Sequence, residues 1–392
     1  MIDFLRSIFL VLQILVGYQL IIPALLLVIW GLKKERHGKK MYNDLNELDF
    51  AIIVTAYQHT NMLAGVVKSI LNLEYRNYHV YIVADNCPMS TLDLAGEKVS
   101  VLIPQVVLGS NTKSHFYAFE RFLRPHDCVT IIDSDNLVDS QFLTHMNSAF
   151  KGDFKAVQGL RAPKNLDTTI ACLDAARDIY YHFYDGKVLF EVGSSATLSG
   201  SGMAFDAVLY RKFLDEVNVQ GAGFDKVLQA WLVQNKYRIA FDEHAVVYDE
   251  KTSKTDQLVQ QRSRWINSWF KYARLGGSIL WTGIRTFDLN SFLFGIILLR
   301  PPLFIFLALS VVFMLINLVM GTFTILILWL ICFISFVLTF FVPLLSNETD
   351  PRILSSLKNI PKFVFYQFVS LLNVRRANKI SVSTKHDREE KL

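Results

Sequence analysis

Asp133-Ser134-Asp135-Asn136 places two carboxylates two residues apart, directly after the apolar run Cys128–Ile132. In a strand-to-loop turn both can face one hard cation, and Mg²⁺ or Mn²⁺ is usually held by one or two carboxylates together with substrate phosphates. A cation so held neutralises charge gathering on a departing diphosphate. A phosphatase-type nucleophile is the rival, but that pattern usually continues with Thr or Val, and here Asn136 follows. A second constellation is Gln261-Arg262-Ser263-Arg264-Trp265. Arginine suits bidentate recognition of phosphate, and Trp offers a flat apolar face to a sugar ring. The same residues also suit a basic and aromatic belt beside a membrane, and composition alone favours the belt.

Other reactive residue types lack the spacing for chemistry. His115, His126, His182 and His244 form no metal-ligand pattern and read as surface or hydrogen-bonded histidines. Gly193-Ser194-Ser195 lacks the G-x-S-x-G elbow. Tyr180, Tyr181, Phe183 and Tyr184 crowd together as core aromatics usually do. Cys87, Cys128, Cys172 and Cys332 have no C-x-x-C spacing and read as reduced structural thiols.

The elements that position the two constellations alternate strand and helix. Phe50-Ala51-Ile52-Ile53-Val54 is followed by helix-like Met62 to Leu71, then by Tyr78 to Val83, and Cys128 to Ile132 comes later. Short β-rich runs separated by helical stretches predict a mostly parallel sheet with helices on both faces. Ligands of such sheets bind beyond the carboxyl ends of the strands. The polar residues at those ends are Thr55 and Tyr57, then Asp85, then Asp133 and Asp135.

The remaining chain is too apolar for an ordinary soluble enzyme. Of 392 residues, 52% are hydrophobic and 19% charged, with 30 phenylalanines, against roughly 45–50% and about 25% in an average domain. The net charge of +5 is too mild to argue for nucleic acid. Asp, Glu, Lys and Arg are missing from Ser7 to Leu32 and from Pro301 to Asn347. A bilayer core needs roughly 20 apolar residues of helix. The first stretch therefore predicts one crossing and the second two, turning at Gly321-Thr322. The first run is too long for a signal-peptide core and no A-x-A-like site follows it. Pro361 to Leu372 is apolar but too short to span, which predicts an interfacial helix. Lys33, Lys34, Arg36, Lys39 and Lys40 follow the first span, and Arg375, Arg376 and Lys379 follow the last. The positive-inside rule then puts the intervening domain in the cytoplasm and the N-terminus outside, as in an integral protein of a bacterial inner membrane or its equivalent.

With these elements in place, residues 48–275 resemble the family 2 glycosyltransferases of the membrane-bound cellulose, chitin and hyaluronan synthase type. Ile53-Val54-Thr55-Ala56-Tyr57 resembles that family's opening strand, and Val83-Ala84-Asp85-Asn86-Cys87 its second acidic turn. Asp133-Ser134-Asp135 resembles its metal-binding D-x-D, and Gly200-Ser201-Gly202-Met203-Ala204-Phe205 its acceptor-side glycine segment. Phe224-Asp225-Lys226 stands where the family has Glu-Asp, and Gln261 to Trp265 is similar to its Q-x-x-R-W. Ala245 to Lys251 also resembles the strand and turn before that last motif. The chain departs from the pattern in carrying Gln58 and His59 after the opening tyrosine, where the family usually has Asn-Glu, and Phe224 before Asp225.

The resemblance implies a GT-A fold (a Rossmann-like, mixed and mostly parallel sheet) with transmembrane helices attached, and an inverting mechanism. It implies a nucleotide-sugar donor, most often a UDP-sugar, and Mg²⁺ or Mn²⁺ as cofactor. Thr55, Tyr57 and Asp85 would hold the nucleoside, Lys113 would approach the diphosphate, and Asp133 and Asp135 would serve the metal, with Asp133 also on the donor. Asp225 would be the general base, although an Asp after Gly221-Ala222-Gly223 also suits a helix N-cap. Gln261, Arg264 and Trp265 would close over diphosphate and acceptor. The expected organisation is an anchor and basic flank over 1–40, a transferase domain over 41–285, an interfacial segment and two crossings over 286–347, and an interfacial helix with a basic tail over 348–392. The acceptor stays open between a glycan and a lipid-linked molecule, with membrane lipid as neighbour. Three spans make a poor channel, so secretion of a polymer would call for export partners or a homo-oligomer. A non-catalytic assembly protein with a degenerate transferase domain is the alternative. A transporter ranks last, because neither charge-free stretch holds an ionisable residue to mark a path.

Overall fold

The structure is a computed structural model, and it describes residues 2–34, 46–217, 219, 222–346 and 348–373. Most of the basic flank after the first helix, the basic residues of the tail and Gly221 lie outside the described residues. Eight strands form a mixed sheet: β1 (Phe50–Tyr57), β2 (Tyr78–Asp85), β3 (Val99–Leu102), β4 (Cys128–Asp133), β5 (Leu137–Val138), β6 (Ala156–Pro163), β7 (Met203–Asp206) and β8 (Ile239–Asp249). Their order is β3-β2-β1-β4-β7-β6-β8-β5. The β3-β2-β1-β4 half is parallel throughout, as is the β6–β8 pair, while β7 runs antiparallel to both its neighbours.

Alternation along the central strands explains why their sequence is apolar almost without a break. Ala51 and Ile53 of β1, Tyr81 and Val83 of β2, and Val129 and Ile131 of β4 face one core. Their sequence neighbours Ile52 and Val54, Val80 and Ile82, and Cys128 and Ile132 face the other. The first of these cores does not stop at the domain. It runs through Tyr180, Tyr184 and Leu189 to Leu20, Phe306, Phe313, Trp329 and Phe336 on the apolar helices.

Among the described residues two helices are long and apolar enough to cross a membrane, one covering Arg6–Lys33 and the other Phe323–Ser346. Between them Leu289–Leu299 and Leu303–Val319 meet at a 75° bend and together satisfy the same test. Pro301 and Pro302 stand in the break, where the missing N–H groups and fixed φ cannot continue a helix. Polar side chains link three helices inside this apolar layer: Gln13 Oε1 accepts from Asn317 Nδ2 at 2.6 Å and from Trp329 Nε1 at 2.7 Å. The helix Ile360–Leu372 packs back on the soluble side, with Phe363 buried against Leu173 and Leu258.

Candidate active site

Strand register brings the acidic and hydroxyl residues to one edge. Thr55 pairs with Asp133 across β1 and β4, and Tyr57 pairs with Asp85 across β1 and β2. Asp85 is 3% exposed, and its two carboxylate oxygens accept N–H groups from Leu108 (3.0 Å) and Gly109 (2.8 Å). It therefore ties the segment before the helix Asn111–Phe119 to the end of β2. Lys113 is exposed in the first turn of that helix.

The turn after β4 is fixed by one buried hydroxyl. Ser201 Oγ accepts from the Asp133 backbone N–H at 3.0 Å and from Asn136 Nδ2 at 2.9 Å. Both Ser201 and Asn136 are fully buried. Gln158, itself buried, donates through Nε2 to the carbonyls of Ser201 and Gly202 and accepts the Ser199 N–H. Gln229 accepts the Leu198 N–H. Gly202 has φ +64°, and a Cβ there would lie 2.7 Å from Val247. The glycine segment is thus a rigid strap behind the two aspartates.

Asp133 and Asp135 supply hard carboxylate oxygens from a single turn. Among the described residues no group of three or more His, Cys, Asp or Glu side chains converges as a metal cage. The donor set fits Mg²⁺ or Mn²⁺ shared with substrate phosphates and water, and it does not fit an all-protein metal centre.

Asp225 sits in the first turn of the helix Phe224–Gln234, whose N-cap is Gly223 at φ +95°. It is therefore the second residue of the helix and not the N-cap residue. A Cβ on Gly223 would lie 2.7 Å from the Tyr272 ring, so the helix start abuts the long helix Thr255–Thr286. Phe224 is buried with its ring 5.3 Å from that of His115, an environment that accounts for an apolar residue before Asp225.

Gln261, Arg264, Trp265 and Ser268 recur at helical spacing along Thr255–Thr286. All four line a cavity of about 790 Å³, together with Asp133, Asp135 and Asp225. Residues from three separate parts of the chain thus meet at one opening by the carboxyl edge of the sheet. Thr55, Tyr57, Asp85 and Lys113 are outside its wall, at the neighbouring ends of β1, β2 and the helix Asn111–Phe119, whose Asn111 does reach the cavity.

The sequence profile described as "Glycosyltransferase like family 2" matches residues 48–268, more than half of the chain. This chain belongs to glycosyltransferase family 2. No curated protein gives a significant sequence match. Similar solved structures include "Mannosyltransferase PcManGT from Pyrobaculum calidifontis in complex with GDP-Man and Mn2+", at 13% identity and a TM-score of 0.49, covering 83% of this chain and 98% of that one. Another is S. aureus TarS 1-349, at 14% identity and a TM-score of 0.41, covering 85% and 90%. The same fragment in complex with UDP-GlcNAc matches at 13% identity and a TM-score of 0.41, covering 85% and 91%.

The transferase carries a buried ionic floor beneath its cavity that motif spacing does not reveal. Arg161 pairs with Asp249 at 2.8 Å. Lys251, 1% exposed, bonds Asp178 at 2.5 Å and Asp249 at 2.9 Å. Arg177 reaches Asp174 and Asp178, and Arg262 pairs with Asp174. Burial pushes the Asp249 carboxyl up, but Arg161 and Lys251 outweigh it and bring it down to about 2. The His182 imidazole, on the cavity wall at the start of a π-helix over His182–Val188, is lowered to about 4 by burial against the pull of Asp178, so it is neutral near pH 7. Burial also lowers the Arg264 guanidinium. Of the crowded aromatics, Tyr180, Phe183 and Tyr184 are core residues, whereas Tyr181 lines the cavity. The family 2 transferase thus uses Ser201, Gln158 and Gln229 to shape its site, and their types at those positions carried no signal beyond the glycine segment.

Proposed function

We propose that this family 2 enzyme transfers a sugar from a nucleotide-sugar donor, with inversion at the anomeric carbon, to a glycan or lipid-linked acceptor at the cytoplasmic face of a membrane. A UDP-sugar is the donor class the motifs favour. The observation that carries the reading is the convergence of Asp133 and Asp135, Asp225, and the Gln261–Arg264–Trp265 face on one cavity. Residues 41–285 form the transferase domain, between the anchor over 1–40 and the membrane segment over 286–347. The helix Ile360–Leu372 lies along the cytoplasmic face, and the N-terminus is outside.

In this mechanism Asp225 takes the proton of the acceptor hydroxyl as its oxygen attacks the anomeric carbon, a contribution of typically 10²–10⁴-fold. The bond from that carbon to the diphosphate oxygen breaks, and its electron pair leaves with the nucleoside diphosphate. Arg264 and Gln261 orient the diphosphate, and Trp265 stacks on the acceptor sugar or head. Asp133 and Asp135 would hold Mg²⁺ or Mn²⁺, which when bound would supply positive charge against the leaving group. Thr55 and Tyr57 flank the nucleoside, Asp85 acts by holding the 108–109 backbone, and Lys113 adds a point charge.

Membranes containing the full chain, given a panel of radiolabelled nucleotide sugars with Mn²⁺ or Mg²⁺, test the reading. Turnover that disappears with EDTA and in Asp135→Ala supports it. No turnover across the panel, or turnover indifferent to both treatments, refutes it.

A further inference from the structure

The cavity does not end at the polar residues. Beyond Arg262 and Arg300 its wall is built by Leu307, Phe333, Val337, Phe341, Phe363 and Val364, from the helices Leu303–Val319, Phe323–Ser346 and Ile360–Leu372. The first two of these helices belong to the apolar layer of the molecule, and the third packs where that layer meets the soluble domain. A glycan threaded along such a wall would leave its hydroxyls unpaired, at a cost for each. A hydrocarbon chain has no such cost and gains from the burial.

The junction between the two halves carries unspent hydrogen-bond donors. Arg262 is 3% exposed and pairs with Asp174 through Nη2, but its Nε and Nη1 have no hydrogen-bond partner. Its guanidinium lies 4.1 Å from the Trp265 ring centre. Trp269 Nε1, one turn further along the same helix, is a second buried donor without an acceptor. Both residues line the cavity. A buried donor left unmade is costly, and a guanidinium fork matches phosphate oxygens better than any neutral head.

From these observations, and resting on the transferase reading above, we propose that the acceptor is a phosphate-bearing lipid with a free hydroxyl. Its chains lie between the three helices, its phosphate faces Arg262 and Trp269, and its hydroxyl reaches Asp225. A carboxylate base suits this acceptor, since a hydroxyl must lose its proton on attack and a phosphate oxygen need not. The sugar's anomeric carbon exchanges its bond to the donor diphosphate for a bond to the lipid hydroxyl, and one sugar is added per lipid. The same chemistry is offered by a glycerophospholipid head and by a polyprenyl diphosphate already carrying a sugar.

Purified full-length chain in phosphatidylcholine vesicles is given labelled donor with phosphatidylglycerol, with sugar-bearing polyprenyl diphosphate, or with ceramide. We expect a butanol-soluble product with a single added sugar in one of the first two arms, which identifies the source, and none with ceramide. Arg262→Lys keeps the charge but loses the fork, and raises KM for the lipid about tenfold, the equivalent of one charge-assisted hydrogen bond. Val337→Trp and Leu307→Trp fill the apolar half and lower lipid transfer relative to donor hydrolysis in the same preparation. A water-soluble ladder of glycans, equal transfer to ceramide, or an unchanged ratio in both wall variants overturns the inference. Native mass spectrometry decides it independently of turnover. Phosphate-bearing lipid retained by the wild type and lost in Val337→Trp supports it, and its absence from the wild type overturns it, whereas failure of every donor in the assay counts against the transferase reading alone.

Discussion

Replacing Ser201 by alanine isolates the part of the site that holds the proposed metal pair without touching either aspartate. The Ser201 hydroxyl is the acceptor for the Asp133 N–H at 3.0 Å and for Asn136 Nδ2 at 2.9 Å. Its loss strands two donors, and Asn136 is fully buried, with its Oδ1 already lacking a partner. Each buried donor left unmade costs about 1–3 kcal/mol, so Ser201→Ala should lower stability by about 2–6 kcal/mol. The turn that presents Asp133 and Asp135 also loses its tether. Loss of a partner behind a metal ligand typically weakens metal binding about 10–100-fold. The assay is donor turnover titrated with Mn²⁺, alongside thermal unfolding in detergent. We expect the half-saturating Mn²⁺ to rise at least tenfold while saturating metal restores most of the rate. An unchanged Mn²⁺ requirement in a protein that has lost stability would show that the strap holds the fold and not the metal turn, and would refute the reasoning.

Three other perturbations address separate parts of the molecule. Asp225→Asn should lower transfer by about 10²–10⁴-fold with little change in the donor's KM; a rate within a factor of a few of wild type would remove Asp225 from the base role. Lys251→Met withdraws the ammonium shared by Asp178 and Asp249, each of which keeps a guanidinium in Arg177 or Arg161. The loss should therefore sit near the lower end of the 3–5 kcal/mol range for a broken buried pair, about 3 kcal/mol, read as a fall in unfolding temperature. His115 is fully buried, with Nδ1 on the Tyr210 hydroxyl, and burial lowers it to about 3. The unfolded chain takes up its proton below about pH 6.5, whereas the folded chain does so only near pH 3. Stability is thus complete above pH 6.5 and falls with acidity, by about 2 kcal/mol at pH 5. His115→Gln should flatten that dependence, and parallel curves for the two proteins would exclude the assignment.

The parts legible in the sequence are those where one residue type at one position carries the physics. The central strands are apolar on both faces because both are covered, so β1, β2 and β4 stand out as runs. Their polar ends mark the ligand edge, since Asp133 and Asp135 would gain nothing from exposure at the tip of a buried strand otherwise. Asp85 was legible as a functional acid, but not that both of its oxygens are committed to the 108–109 backbone. That use depends on a loop whose path the sequence does not encode locally. The ionic floor was invisible for the same reason. Asp174 and Asp178 carry no motif of their own, and nothing in the spacing pairs them with Lys251 and Arg262 until the fold buries them against one another. The bend at Pro301 and Pro302 was concealed by the absence of charge, because length and hydropathy report that a stretch can cross and not where it turns.

The continuity of the first core couples the apolar helices to the wall of the cavity. Tyr184, below the sheet, donates its hydroxyl to the Thr339 carbonyl at 2.7 Å, and Arg300 at the bend pairs with Asp185 in the π-helix on the cavity wall. The stretch from Tyr180 to Leu189 therefore touches the apolar helices on one side and borders the cavity on the other. A π-helix there widens the turn, which brings His182 and Asp185 to the wall while Phe183 and Tyr184 stay in the core. Removing the helices would expose Tyr180, which packs on Phe336 and Phe340, together with Tyr184, and would unpair Asp185. The family 2 domain is in this sense not separable from the apolar helices: the stretch that packs against them also forms one wall of the cavity.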